Sequence, residues 1–188
     1  MLLAALVLLT GFAPEKQEPK LDRKEAKKAF ELVNDIRQNP ADYRNEYELP
    51  PNLKINNTPL VWNEELAKAA GKKALDMAKR GYFGHVDPEG YGMNYHINKS
   101  GYKLIPAFLK NKSANNFESI AYGPGTGEDA IRILILDEGV PSKGHRNHLL
   151  GIGAWDSSLV DIGIGFAVIE KNGRKQFYVS VLIAKHNW

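Results

Sequence analysis

Apolar positions along the chain follow two periods, and the change between them marks its organisation. From Asp22 the spacing is helical: Ala26, Ala29, Phe30, Val33 and Ile36 share one face, and Asp22 is placed to cap the first turn. Asn39-Pro40 ends this helix, and Pro40-Ala41-Asp42-Tyr43 begins a short one. Residues 50–59, with Pro50, Pro51 and Pro59, read as loop. The clearest helix starts at Asn63, carries Glu64 and Glu65 in its first turn, turns Leu66, Ala70, Ala74, Met77 and Ala78 inward, and stops at Gly81. Residues 82–100 are rich in Gly, Asp, His and Asn, which predicts loop and a short helix. Residues 117–122 predict a strand ended by Gly123-Pro124-Gly125. Thr126 with Asp129 has the spacing of a capping box ahead of a buried helix with Ala130, Ile131, Leu134 and Ile135; residues 139–144 break it. The chain closes with two β-rich runs, 161–169 and 176–184, joined by Glu170-Lys171-Asn172-Gly173, whose Asn-Gly step favours a hairpin. Helices first and a hairpin last give an α+β class rather than alternating βαβ units. Phe83 and Leu134 are expected in the core, Trp62 and Trp155 at least partly buried, and Trp188 exposed.

Composition then removes whole classes of chemistry. A chain of 188 residues that is 43% hydrophobic suits one domain with a sizeable core and excludes wholesale disorder. Lys and Arg total 25 against 22 acids, and the lysines interleave with acids, so no nucleic-acid groove is expected. Cysteine is absent, which excludes disulfides, Cys-ligated zinc, iron–sulfur clusters, a thiol nucleophile and a lipid-modified Cys anchor. Residues 2–13 are apolar but far short of the roughly 20 needed to span a bilayer. They match the core of a secretory signal, with Gly11 and Ala13 near the cleavage point. Residues 14–22 read as a linker and 23–188 as the domain. A secreted, periplasmic or cell-surface location follows, with no transmembrane span in the mature protein; a buried or membrane-peripheral N-terminal helix is the competing reading.

The glycine clusters complete neither a phosphate loop nor a dinucleotide fingerprint, and no Ser sits in a Gly-x-Ser-x-Gly elbow. Histidine is sparse, with five in all. His85 and His145 each follow a glycine beside an expected helix end, where an imidazole can project into a cleft. Glu118, between Phe117 and Ser119, and Asp137-Glu138, at the end of an apolar helix, are carboxylates in apolar surroundings and therefore need partners. Two imidazoles and two carboxylates suit a divalent metal or a network of acid–base pairs, while each His taken singly also fits a capping or core role. His148 lies three residues from His145 and offers a rival chelate on one helical face.

Tyr82-Phe83-Gly84-His85-Val86-Asp87-Pro88-Glu89-Gly90, then Phe117-Glu118-Ser119-Ile120-Ala121-Tyr122-Gly123, then Gly144-His145-Arg146-Asn147-His148-Leu149-Leu150 resemble, in order and spacing, the motifs of the CAP superfamily. This superfamily holds cysteine-rich secretory proteins, venom antigens, plant pathogenesis-related proteins and bacterial extracellular domains. The opening helix at Leu32-Val33-Asn34-Asp35-Ile36-Arg37 and the Leu60-Val61-Trp62-Asn63 segment match as well, so the likeness covers residues 25–186. It implies a three-layer α–β–α sandwich with a central antiparallel sheet, and a cleft lined by His85, Glu118, His145 and a second acid. Leu134 stands where the family has an aromatic residue, which makes Asp137 the expected second acid and Glu138 the alternate. Ser119 replaces the usual Asn, and the absence of cysteine points to the disulfide-free bacterial form. The resemblance implies zinc or another divalent metal on His85 and His145, and an extracellular ligand: a lipid, a peptide or a cell-envelope component. No catalytic residue is assigned. A metal-dependent hydrolase using Glu118 as base, and a structural protein braced by the tetrad, are the competing readings.

Overall fold

The structure, a computed structural model, describes residues 18–171 and 173–186. The expected signal segment, the first four residues of the expected linker, Asn172, Asn187 and Trp188 lie outside them. Local signals build most of the elements. Asp22 accepts hydrogen bonds from the backbone N–H groups of Lys24 and Glu25 and opens α1 (Arg23–Gln38), which ends before α2 (Pro40–Tyr43). Asn63 caps α3 (Glu64–Arg80) in the same way, and Gly81 ends it in the left-handed conformation, φ +72°. The expected short helix is α4 (Met93–Ser100). The Thr126–Asp129 capping box opens α5 (Gly127–Leu136), followed by α6 (Gly144–Leu150) and α7 (Gly153–Asp156).

The hairpin strands are β4 (Asp161–Lys171) and β5 (Arg174–Ala184), each two residues longer at the turn than the sequence pattern predicts. β5 pairs antiparallel with β3 (Glu118–Gly123), which forms an edge. Two strands of two residues each, β1 (Lys20–Leu21) and β2 (Val61–Trp62), pair with β4, the first antiparallel and the second parallel.

Helical layers cover both faces of this sheet, giving the α–β–α sandwich. Helix α3 lies so close to β4 that a Cβ on Gly163 would stand 2.1 Å from the Ala67 nitrogen, and one on Gly165 2.2 Å from the Ala70 carbonyl carbon. Only glycine admits that approach. On the other face, β4 and β3 pack against α1 and α5, whose Val33, Ile36, Ala130 and Ile131 are fully buried. No helix among the described residues is long and apolar enough to cross a membrane.

Leu134 is buried as expected, and Trp62 is partly buried with its ring 5.4 Å from that of Phe30. Phe83 is not in the core: it is 53% exposed. It follows the Gly81 turn onto the outer rim of edge strand β3, beside Tyr122, so one side of its ring stays in solvent. Trp155 is partly covered, as expected: it is 39% exposed and leans on Phe108 and Phe117.

Candidate functional site

Strand alternation sends Glu118 to the α3 face of the sheet and its neighbour Ser119 to the α5 face. Because β3 is an edge, these two side chains hold opposite sides of one cleft. On the first side, Glu118 is buried with both oxygens engaged: Oε1 accepts from the Ser180 hydroxyl at 2.7 Å, and Oε2 lies 2.9 Å from His85 Nδ1. His85 itself is half exposed and rides on the loop that follows α3. Its carbonyl accepts from Lys73 Nζ at 3.3 Å, which ties that loop to the helix.

On the second side, α5 ends at Asp137 in the left-handed conformation, φ +47°. One carboxylate oxygen accepts the His145 backbone N–H at 2.9 Å, and the other lies 2.7 Å from His145 Nδ1. The carbonyls at the end of α5 are satisfied by two cations: Lys143 Nζ on Leu136 and Asp137, and buried Arg146 on Ile135 and Leu136. Glu138, the alternate acid, is exposed and bonds no histidine.

Ser119 Oγ meets His148 Nδ1 at 2.8 Å. His148 is buried, and its Nε2 is sealed from solvent, facing the Ile183 backbone. Burial pushes this imidazole down to about 4, and the nearby His145, Arg37 and His85 add to the effect. His145 and His148 therefore do not present a chelating pair, although both sit on α6.

A cavity of about 460 Å³ is lined by Glu118, Ser119, His145 and His148, and His85 is bound to the same wall through Glu118. An adjoining groove of about 410 Å³ runs from His145 over Tyr122, Ile133 and Phe83. Of the four expected residues, Glu118 and His145 line this cavity, and His85 and Asp137 are each hydrogen-bonded to one of them. Sequence reasoning missed Ser180, Lys143 and Arg146; the two cations just past an apolar helix carried a readable signal, whereas Ser180 carried none.

With each Nδ1 fixed by a carboxylate, the Nε2 atoms of His85 and His145 have no hydrogen-bond partner among the described residues, as ligating histidines require. No group of three or more His, Cys, Asp or Glu placed to hold an ion occurs among the described residues. The described residues therefore form no closed cage, and the two Nε2 atoms are the donors left open.

Comparison with known proteins agrees with this architecture. The sequence profile of the cysteine-rich secretory protein family, CAP, matches residues 30–182. No curated protein sequence matches the chain. Among solved structures, an extracellular SCP-domain protein from Bacillus anthracis str. Ames superimposes with a TM-score of 0.52 at 19% identity, covering 87% of this chain and 41% of that one. The chain thus spans about two fifths of that protein's length. The Schistosoma mansoni venom allergen-like protein 4 gives 0.45 at 16% identity, covering 87% and 88%. The CAP domain of Enterococcal PrgA gives 0.42 at 18%, covering 85% and 60%. At these identities the likeness concerns the fold alone.

Proposed function

This chain belongs to the cysteine-rich secretory protein (CAP) family, and from that premise we propose that it is an exported binding module. Its cleft would hold a divalent metal ion on Nε2 of His85 and Nε2 of His145, and would take an extracellular ligand: a lipid, a peptide or a cell-envelope component. The observation that carries this reading is the pairing of each Nδ1 with a buried carboxylate, which fixes the ring and leaves Nε2 as the outward donor. A bound ion would act as a Lewis acid on an oxygen of the ligand. The chain's own contribution is orientation: Glu118 and Asp137 hold the imidazoles, while Phe83, Tyr122 and Ile133 offer apolar surface beside them.

Binding is favoured over hydrolysis by the state of Glu118. Both of its oxygens are engaged and its side chain is sealed from solvent, so it offers no free base to activate water. An export signal at residues 2–13 and a location outside the cytoplasm complete the proposal.

Calorimetric zinc titration tests it without any knowledge of the ligand. Zinc should bind the wild type and stabilise it by linkage, by about 2.7 kcal/mol at a hundredfold excess over Kd, which appears as a higher melting temperature. Binding should weaken on acidification, because a ligating imidazole must be unprotonated. The His85→Ala/His145→Ala variant should fold and lose the response, and His148→Ala should keep it. A full zinc shift in the double variant would place the site elsewhere, and failure of that variant to fold would favour a bracing role.

A further inference from the structure

On the far side of the His85 loop lies a cavity of about 340 Å³ between α3, α4 and residues 81–92. Its volume equals roughly ten water molecules and falls in the lower range of small-ligand pockets. Helix α3 presents Lys72, Lys73, Asp76 and Arg80 along one stripe, and Lys99 faces them from α4. With Asp87 and Glu89 from the loop, four cations line the cavity against three carboxylates.

The carboxylates are already committed. Asp76 accepts from Arg80 and from the Tyr82 hydroxyl, both oxygens of Glu89 accept from Arg80, and Asp87 takes His96 and the Tyr91 backbone N–H. Three lysines are left over. Lys72 and Lys99 are exposed and form no ion pair among the described residues. Lys73 is only 4% exposed, yet its ammonium reaches just two acceptors, both neutral: the Tyr82 hydroxyl at 3.2 Å and the His85 carbonyl at 3.3 Å. An ammonium has three protons to donate, and a buried one is ordinarily matched by an anion. The carboxylates of Glu118, Asp87 and Asp76 act on this ammonium from a distance without bonding it, which leaves its third N–H for an acceptor in the cavity.

We infer that this cavity is a second binding site, for a small oxyanion, with Lys73 at its floor and Lys72 and Lys99 at its rim. The oxyanion is a carboxylate or a phosphate group carried on a small molecule. This site is distinct from the histidine cleft and does not depend on a metal there.

Backbone-amide NMR on the full chain tests it with inorganic phosphate and acetate as probes, added at constant ionic strength against sodium chloride. We expect shifts around Lys73, Asp76 and Lys99 that saturate with at least one probe, and the probe that saturates at the lower concentration identifies the group. Lys72→Ala/Lys99→Ala removes exposed side chains without hydrogen bonds, so it should fold and bind that probe roughly fivefold more weakly. Lys73→Met should abolish saturation if it folds. Shifts that grow linearly with both probes, that spread over lysines elsewhere, or that saturate equally in the Lys72→Ala/Lys99→Ala variant would overturn the inference.

Discussion

The two histidine–carboxylate pairs of the cleft look alike at the bond and differ in what holds them. Asp137 and His145 are eight residues apart, on the cap of one helix and the first turn of the next, and are joined through the backbone as well as the ring. His85 and Glu118 are thirty-three residues apart and meet because a loop folds over an edge strand. Glu118 in turn depends on Ser180, sixty-two residues further on. One wall is local and helical; the other exists only when the tertiary fold does. Geometry that two adjacent helices enforce tolerates loss of a single bond, whereas geometry assembled from three distant segments does not.

The strongest way to break this contrast is through the support of the helical wall. Leu134→Ala in α5 removes a buried side chain beneath Asp137 and should destabilise the protein by about 2–5 kcal/mol in denaturant melts. A loss below about 0.5 kcal/mol would show that α5 does not anchor that wall.

Between the walls, His148 supplies an acid-sensitive joint. Its pKa is pushed down from 6.5 to about 4 by burial, so between those values the unfolded chain binds a proton that the folded chain refuses. Stability should be full above about pH 6.5 and fall on acidification towards about pH 4, by on the order of 3 kcal/mol. His148→Gln should flatten that slope in urea melts; an unchanged slope would move the effect to another group.

A finer comparison comes from the carboxylates. Glu118→Gln and Asp137→Asn should each weaken zinc binding by about tenfold to a hundredfold, with the larger loss at Glu118. Asn accepts the left-handed backbone at position 137, and α6 still positions His145, whereas His85 loses the charge that fixes its ring. Equal losses in a zinc titration would erase the distinction between the walls. The smallest effect belongs to Phe83→Ala, within about 0.5 kcal/mol of wild type in stability, because its ring is already half in solvent.

These contrasts also explain what could be read in advance. The caps at Asp22, Asn63 and Thr126 were legible because each concerns three or four consecutive residues. The α–β–α layering was legible through the family motifs, which also suggested His85, Glu118, Asp137 and His145; the bonds that join them in pairs are read from the structure. Ser180 was not, since nothing along the chain links a hydroxyl in a buried strand to a carboxylate in a distant one. Lys73 was hidden for another reason: it sits among the inward residues of α3, next to Ala74, and a hydropathy pattern assigns every lysine to solvent. Phe83 erred in the opposite direction, because an aromatic ring at a sheet edge keeps one face wet. The strands β1 and β2 are too short to leave any periodic trace.

Those two short strands change how the molecule meets other copies of itself. β4 is paired with β5 along its whole length, and its other side would be a long row of free backbone groups. β2 covers that row at Asp161 and Ile162, and β1 covers it at Ala167 and Val168. The Asn63 and Asp22 N–H groups take the carbonyls of Ile162 and Phe166, so the interval left between the clasps is shorter than an ordinary strand. A foreign strand therefore finds no continuous template there, and β4 is shielded from edge-to-edge pairing by two short segments of its own chain, Lys20 to Asp22 and Val61 to Asn63.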